Sequence, residues 1–328
     1  MHQEPKQNSE GSTNVVPSSS TSGALLGVRG ISVNLFEKLK AKGYSEKALN
    51  SIGRCGDKTG QKFTFSCSGC ADRVVDGTWW CDKIFCKRCS LKRTRRIVRK
   101  YSPMLNSLSY EKGKREFLHL IISPENVDKP DNLFDLKKKL KKLMNCTEMK
   151  LKVLGYLCST ECTKKIKGKF HIHFHILIYG ARLNNKVEGY CLDCKKNKIK
   201  YDYYSERFYC SNRKCKSLNA VKTNDSPLVQ LCKKYFKSEV NVYVTDKIRV
   251  GGKYISISNN PTLLLEYILK YITKSDFSFE SEEDLADYLI VTYKKRLIST
   301  GGLFYNYKVP EDPLLCFTCK TPVIRKFD

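Results

Sequence analysis

Long apolar stretches are absent from this chain. No run approaches the roughly 20 apolar residues that a membrane-spanning helix requires, so we expect no membrane association through such a helix. The first 22 residues have neither the basic start nor the apolar centre of a secretory signal. The sequence therefore predicts a soluble protein of the cytoplasm.

Acidic residues are also in short supply, with 33 Asp and Glu against 60 Lys and Arg. The resulting formal net charge of +27 is typical of a protein that binds a polyanion, and nucleic acid is the leading partner. At 41% hydrophobic residues, the chain has enough apolar material for a core. Its length fits one large domain with attachments, or two domains.

The distribution of residue types along the chain predicts its organisation. Ser, Thr, Asn and Gly dominate the start, which has little to bury and should be disordered. The expected order is a disordered tail over 1–30, a helical lead-in with a zinc ribbon and a basic helix over 31–105, an α+β domain over 106–310 with a second ribbon inserted at 187–220, and a C-terminal tail over 311–328.

Sixteen cysteines are many for a chain without a secretory signal, and their spacing favours metal binding over disulfides. Two sets resemble zinc ribbons, in which four thiolates surround one Zn²⁺. The first set is Cys67, Cys70, Cys86 and Cys89, and the second is Cys191, Cys194, Cys210 and Cys215. Cys81 is ambiguous because it could replace a ligand of the first set. Most of the six remaining cysteines (Cys55, Cys81, Cys146, Cys158, Cys162 and Cys232) are expected to be small buried hydrophobes, while the role of Cys316 and Cys319 is open.

A strongly basic segment, 91–101, directly follows the first cysteine set and is predicted to be helical. Cationic side chains on a helix can contact phosphates without reading a base sequence. The residues that we assign to this role are Arg93, Arg95, Arg96 and Arg99. A solvated helix face is the other interpretation of such a segment.

Histidine is scarce, yet three of the five histidines alternate along one apolar segment, 170–180. The segment is predicted to be a strand, which places His171, His173 and His175 on one face. Adjacent imidazoles on a rigid strand can bind a divalent metal. The alternative interpretation is that the histidines are simply exposed side chains on one face of a sheet. Glu161 precedes a predicted hairpin turn and is either an oxygen ligand beside the histidines or an exposed carboxylate.

A third informative segment, 261–275, has leucine and isoleucine at helical spacing. Tyr267 and Tyr271 share one face of this predicted helix, and so do Lys270 and Lys274. A tyrosine pair at this spacing usually packs in a core. A phenol can also attack a phosphodiester when a metal polarises the phosphate and a lysine stabilises the developing charge.

In this order, the strand 116–124, the His173-Phe-His175 strand and the Tyr267-x-x-Lys270-Tyr271-x-x-Lys274 helix resemble the three motifs of HUH endonucleases. The chain is most similar to the two-tyrosine rolling-circle replication initiators of plasmids and viruses. Glu161, the segment 295–302 and the block of Cys81, Cys86 and Cys89 also match that pattern. The resemblance extends roughly over residues 55–305.

The resemblance implies an α+β fold with a central antiparallel sheet flanked by helices, in which the metal and the tyrosines face each other. It implies that His173, His175 and Glu161 bind Mg²⁺ or Mn²⁺ and that Tyr267 or Tyr271 attacks single-stranded origin DNA, forming a 5′-phosphotyrosine link. Lys270 and Lys274 would stabilise the phosphate. His171 falls outside the strict histidine pair and is expected to support a ligand or to face DNA.

The same resemblance implies partners. The free 3′-OH would prime a host DNA polymerase in the cytoplasm of a prokaryote that carries the plasmid or viral DNA. The sequence contains no Gly-x-x-x-x-Gly-Lys phosphate loop, so we expect a separate helicase. Two other functions stay open: a rolling-circle transposase with the same chemistry, and a non-catalytic zinc-ribbon regulator that binds DNA.

Overall fold

The computed structural model describes most of the chain. The described ranges are 32–67, 70–83, 86–110, 115–165, 168–183, 185, 188–197, 199–202, 207–212, 214–273, 279, 281–308 and 323–327. Within these ranges the side chains of Cys67, Lys270 and Tyr271 are not described. The expected tail at 1–30, Lys274, and the Cys316 and Cys319 pair lie outside the described residues.

Helices and strands alternate irregularly along the chain. The helices are α1 (Val33–Ala41), α2 (Glu46–Gly53), α3 (Lys87–Tyr110), α4 (Asn132–Met144), α5 (Thr147–Lys150), α6 (Pro227–Phe236), α7 (Pro261–Thr273) and α8 (Glu282–Thr292). The strands are β1 (Lys58–Cys67), β2 (Cys70–Thr78), β3 (Arg115–Pro124), β4 (Val153–Lys165), β5 (Lys169–Ala181), β6 (Glu188–Cys191), β7 (Ile199–Asp202), β8 (Arg207–Cys210), β9 (Ala220–Asn224), β10 (Val240–Thr245), β11 (Lys247–Val250), β12 (Lys253–Ser256), β13 (Ile298–Gly302) and β14 (Val323–Phe327).

A five-stranded antiparallel sheet, in the order β10-β3-β5-β4-β13, forms the centre of the molecule. Helices flank it, which confirms the predicted α+β class. The two longest strands, β4 and β5, form the expected hairpin and pair from Gly155 with Tyr179 to Lys165 with Lys169. At the outer end of β13, Gly302 has a φ of +57°, and a side chain there would meet the backbone of Leu154.

One face of the sheet is apolar, because the even-numbered side chains of β5 are large hydrophobes. Ile172, Phe174 and Ile176 are fully buried, and the Phe174 ring contacts Phe236 of α6 at 6.1 Å between centroids. Helix α4 packs beside α6. It is amphipathic, and its buried residues are Leu133, Leu136, Leu140, Leu143 and Met144.

The opposite face bears the odd-numbered side chains of β5, and we call it the histidine face. Its defining residues are His119, Ser123, Glu161, His173 and His175, which register pairing places on one side of the sheet. Helix α7 contacts β4 and β5, and α3 packs along α7. The basic segment and the tyrosine helix are thus next to each other.

Two smaller units attach to this core. The strands β14, β1 and β2 form a three-stranded sheet, in which Cys67 pairs with Cys70 at the end of the β1–β2 hairpin. The hairpins β6–β9 and β7–β8 form the inserted unit, which we call the second cysteine module (188–224). In the described part of the chain, no helix is both long and apolar enough to cross a membrane.

Candidate active site

The histidine face carries a chain of close polar contacts. His175 Nε2 lies 3.2 Å from Glu161 Oε2, and His175 Nδ1 lies 3.3 Å from His119 Nε2. His119 comes from β3 and Glu161 from β4, so the two strands that flank β5 each contribute a partner to His175. The side chains of Glu161 and His175 are both shielded from solvent, since only 14% of the first and 5% of the second are exposed.

His119 is held in its neutral form. Complete burial, followed by repulsion from His175, lowers the pKa of His119 well below its ordinary value. A neutral imidazole can accept a hydrogen bond at Nε2, so His119 can receive the Nδ1–H of His175 and leave His175 Nε2 available as a ligand atom. This is the usual arrangement around metal-binding histidines, in which the second ring nitrogen is fixed by a neighbouring group.

His173 has an equivalent partner on β3. Its Nδ1 lies 2.7 Å from the hydroxyl oxygen of Ser123, and Ser123 is 5% exposed. Glu161 is the cross-strand neighbour of His173, and the two histidine rings are 6.1 Å apart. Strand β3 thus supports both histidines: Ser123 orients His173, and His119 orients His175.

These donors suit a divalent metal. Two atoms that bind one Mg²⁺ ion at right angles, each about 2.1 Å from it, lie about 3.0 Å apart. The observed 3.2 Å between His175 Nε2 and Glu161 Oε2 is close to that separation. His175 and Glu161 thus offer an imidazole nitrogen and a carboxylate oxygen at the separation of two ligands of one ion. His173 is not grouped with them, since in the described part of the chain the sets of three or more donor atoms within 4.8 Å of one another are the two cysteine groups. An Mg²⁺ or Mn²⁺ site that also includes His173 stays a prediction.

His171 lies next to His173 and does not extend the chain of contacts toward Glu161. Its ring stacks on that of His173 at 4.0 Å between centroids. It pairs across the hairpin with Thr163. The sequence assigned it a supporting or DNA-facing role, and that assignment stays a prediction.

Helix α7 brings Tyr267 to this face. The Tyr267 ring meets the His119 ring edge-on at 5.9 Å between centroids, and the His119 ring stacks on that of His175 at 5.5 Å. The inner side of α7 is anchored in the core, and its fully buried residues are Leu264, Leu265, Ile268 and Leu269. The structure therefore places Tyr267, one of the two predicted nucleophiles, against His119, which itself contacts the predicted metal ligand His175. The side chains of Tyr271 and Lys270 lie outside its description.

The first cysteine group differs from the expected set. Its four sulfurs belong to Cys55, Cys81, Cys86 and Cys89, and they lie within 4.8 Å of one another. Cys70 is not in the group; it pairs with Cys67 at the end of the β1–β2 hairpin. This corrects the expectation that Cys70 is a ligand of this group. The side chain of Cys67 lies outside the described residues. The ambiguous Cys81 is a member, and Cys55, which was not in the expected set, is another.

The second cysteine group is the expected one, with Cys191, Cys194, Cys210 and Cys215 close together. Contacts between sulfurs measure 3.4 to 3.6 Å in both groups. A disulfide requires about 2.05 Å, whereas a tetrahedral zinc with bonds of about 2.3 Å sets its sulfurs about 3.8 Å apart. Both groups can hold structural zinc.

Local donors favour the thiolate form of one cysteine in each group, although the pKa of Cys81 and Cys89 in the first group and of Cys210 and Cys215 in the second is raised. A hydrogen bond from the Cys81 thiol lowers the pKa of Cys86 to about 5. In the second group, the backbone N–H of Lys196 lowers the pKa of Cys194 to about 7. Thiolates are the form that binds zinc, so each group contains a sulfur prepared for the metal.

Comparison with known proteins bears on the same part of the chain. Residues 72–184 match the model of a family described as Replication protein. A curated relative from Lentilactobacillus hilgardii, named Protein rep, is 26% identical over 105 residues, which are 31% of this chain and 33% of that protein. No solved structure matches the chain significantly.

One comparison is thus with a replication protein family and the other with a protein named Protein rep. The chain spans about a third of the length of the curated relative that it matches. The family match includes β3, β4 and β5 with every residue of the histidine face, and it ends before α7. The nearness of Tyr267 to that face is therefore an independent structural observation.

A basic cleft of about 470 Å³ lies between the start of α3, the end of α8 and the segment before β13. Its cationic lining residues are Lys83, Arg93, Arg96, Lys294, Lys295 and Arg296. Asp82 is the acidic residue that lines it, and the Lys83 ammonium lies over the Tyr293 ring at 4.7 Å. Two of the four arginines that we assigned to phosphate contacts thus line a concave cationic surface, while Arg95 and Arg99 are exposed on the helix.

Sequence reasoning missed His119 and Ser123. Each is one polar residue in a strand whose other residues are mostly apolar and buried. Their spacing of four places both on the face opposite Leu118, Leu120 and Ile122, and that alternation was the available signal. Its meaning depends on the register between β3 and β5, which the sequence does not specify.

Proposed function

We propose that this protein initiates rolling-circle replication by nicking single-stranded origin DNA through a tyrosine. The observation that carries the proposal is the position of Tyr267 beside the histidine face, in a chain whose β2–β5 region matches the replication protein family. Tyr267 contacts His119, and His119 in turn contacts the proposed metal ligand His175.

In the proposed site, His173, His175 and Glu161 hold one Mg²⁺ or Mn²⁺ ion. When bound, the ion polarises the scissile phosphate and neutralises part of its charge. Ser123 and His119 keep the two imidazoles in position through the contacts at 2.7 Å and 3.3 Å. Their burial fixes each ring, and this limits the reorganisation that ligand binding would otherwise need.

The chemical step is a transesterification. The phenol oxygen of Tyr267 or Tyr271 forms a bond to phosphorus, and the bond from phosphorus to the 3′-oxygen breaks. The phenol gives up its proton, and the departing 3′-oxygen gains one and becomes a hydroxyl. One phosphodiester replaces another, so no nucleotide cofactor is consumed. Lys270 and Lys274 are assigned to stabilising the phosphate, and the second tyrosine to the later strand transfer.

The partners follow from the products of this step. The 5′ end stays on the protein, and the free 3′-OH is a primer for a host DNA polymerase. A separate helicase would open the duplex. The reaction would take place in the cytoplasm of a prokaryotic host, on plasmid or viral DNA.

Covalent adduct formation tests the proposal. The purified protein is incubated with Mn²⁺ and labelled single-stranded oligonucleotides that tile the DNA around its gene, and adducts are resolved on a denaturing gel. We expect an adduct with wild type and none with the double variant Tyr267→Phe/Tyr271→Phe. Tyr110→Phe is the matched control, since Tyr110 is 84% exposed at the end of α3 and should change nothing.

The alternatives give different results. If wild type binds the oligonucleotides well but forms no adduct with any of them, the protein is a DNA-binding regulator. If the double variant still forms adducts, another residue is the nucleophile and the tyrosine assignment is wrong.

A further inference from the structure

A cleft of about 980 Å³ lies between the second cysteine module and strand β10. Its lining residues do not include those that define the histidine face. One wall comes from β7, β8 and β9 of the module, and the other from β10 and the segment that follows β5. The cleft is large enough for several nucleotide-sized groups and leaves the inserted module with a surface that faces the central sheet.

Strand β10 is an edge of the central sheet, paired with β3 on one side. On its outer side, the side-chain amide of Asn185 donates to the Val242 carbonyl at 3.2 Å. The hydroxyl of Ser226 donates to Asn185 Oδ1 at 2.9 Å, and this contact fixes the orientation of the amide. The cleft wall at this point is therefore rigid and polar.

The cleft runs along the edge of β10 and is lined by side chains from both faces of the sheet. Asn241, Tyr243 and Thr245 line it, and they project to the side of the histidine face because they pair in register with Ser123, Ile121 and His119. The alternate residues Val240, Val242 and Val244 line it from the apolar side. A strand of DNA that leaves the histidine side of the sheet near Tyr243 would therefore meet the cysteine module across this edge.

The module wall combines aromatic rings with cations. Phe208 and Tyr209 of β8 line the cleft together with Lys200 of β7 and Lys222 of β9. The Lys222 ammonium lies over the Phe208 ring at 5.8 Å, and it forms an ion pair with Asp225 at 2.6 Å. Lys200 is exposed. Aromatic rings beside lysines are the usual surface for unpaired bases and their phosphates.

We propose that this cleft binds the single-stranded DNA that flanks the nicking site, with bases against Tyr209 and Phe208 and a phosphate at Lys200. The part of the proposal that concerns nicking rests on the proposed function, whereas the binding of single-stranded DNA does not. A peptide added to the free edge of β10 is the competing occupant. The overall charge of +27 and the aromatic wall favour the nucleic acid.

Fluorescence anisotropy with labelled oligo(dT) tests the cleft. We expect Tyr209→Ala to weaken binding of a dT 20-mer by about fivefold or more, because one stacked base is worth about that factor. A dT 6-mer should be affected less, because it can remain on the histidine face. Lys200→Glu should weaken binding of the 20-mer and also reduce its dependence on salt concentration by about one phosphate contact.

Matched controls come from the same module. Tyr190→Ala and Lys214→Glu alter exposed residues of the same types that do not line the cleft. Both should bind the dT 20-mer as wild type does. Zinc content is measured for each variant, so that loss of binding through loss of the metal-held fold is recognised. If Tyr209→Ala loses zinc, Lys200→Glu and Tyr243→Ala provide the test.

The outcomes separate the two proposals. If Tyr209→Ala and Lys200→Glu bind the dT 20-mer like wild type, the cleft proposal is overturned, whatever the adduct assay shows. If they bind it weakly while wild type forms no covalent adduct with any DNA, the cleft proposal stands and the nicking proposal fails. Binding of a β-strand peptide with unchanged DNA affinity would assign the β10 edge to a protein partner.

Discussion

The phenol ring of Tyr267 meets the His119 imidazole edge-on, at 5.9 Å between ring centroids. The two residues come from α7 and β3, which are far apart in the chain. Through this contact the tyrosine helix touches His119. His119 in turn contacts His175, and His175 contacts Glu161. A phosphate held at the histidines would therefore lie on the same side of the sheet as the phenol.

His119 is expected to set the metal affinity of the site without binding the metal itself. The variant His119→Phe keeps an aromatic ring in the buried position but removes the acceptor that fixes His175. We expect Mn²⁺ to bind about 10- to 100-fold more weakly, the usual effect of losing such a partner. Titration of free Mn²⁺ by electron paramagnetic resonance measures the change.

Ser159→Ala is the matched control for that experiment. Ser159 is fully buried, it pairs in register with His175, and its hydroxyl has no hydrogen-bond partner among the described residues. It should leave Mn²⁺ affinity unchanged. An unaltered affinity in His119→Phe would show that His175 needs no support from β3.

The revised first zinc site makes a prediction about stoichiometry. We expect two Zn²⁺ per wild-type chain, and one in Cys55→Ser and in Cys81→Ser, because each variant removes one sulfur of the same group. Cys70→Ser should retain two, since Cys70 lies outside that group. Inductively coupled plasma mass spectrometry gives the counts. Loss of zinc from Cys70→Ser with retention in Cys55→Ser would restore the ligand set inferred from spacing.

Acid should release zinc from both sites, because protons compete with the metal for the thiolates. Neighbouring donors lower the pKa of Cys86 to about 5 and that of Cys194 to about 7. Both lie below the ordinary thiol value, which favours a thiolate in each group at neutral pH and its loss as the pH falls. A chromophoric chelator followed against pH measures the release, and zinc that is freed at neutral pH but held in acid would contradict this.

The basic cleft should contribute affinity without sequence preference. Arg96→Glu is expected to weaken binding of single-stranded oligonucleotides of every sequence to a similar extent, because phosphate contacts carry no base information. The slope of log affinity against log salt should fall by about 0.7 for one lost contact with a single strand. Lys141→Glu is the control, since Lys141 is an exposed cation on α4, behind the apolar face. An effect confined to one sequence would point to base readout instead.

Periodicity in the sequence predicted the central elements well. The alternation of His171, Ile172, His173 and Phe174 predicted a strand with two unlike faces, and β5 has that form. Leucine and isoleucine spacing predicted α7, and the predicted turn after Glu161 is the one that joins β4 and β5. These features are local, because each depends on the burial of a stripe of neighbouring residues.

Ligand sets were harder to predict because they depend on distant contacts. Cys67-x-x-Cys70 has the spacing of a zinc knuckle, but the same spacing fits the end of a β-hairpin. Cys55 follows α2 and Cys81 follows β2, and only the folded chain brings them to Cys86 and Cys89. His119 was missed for a similar reason, since its contact with His175 requires the register between β3 and β5.

The most direct test of the central claim is to map the DNA-linked peptide by mass spectrometry after trypsin digestion of the covalent adduct. Cleavage at Lys253, Lys270 and Lys274 separates the two tyrosines, because Tyr267 lies in peptide 254–270 and Tyr271 in peptide 271–274. We predict a nucleotide remnant on Tyr267 or Tyr271. A remnant on a residue outside α7 would contradict the claim that this helix and the histidine face form one nicking site.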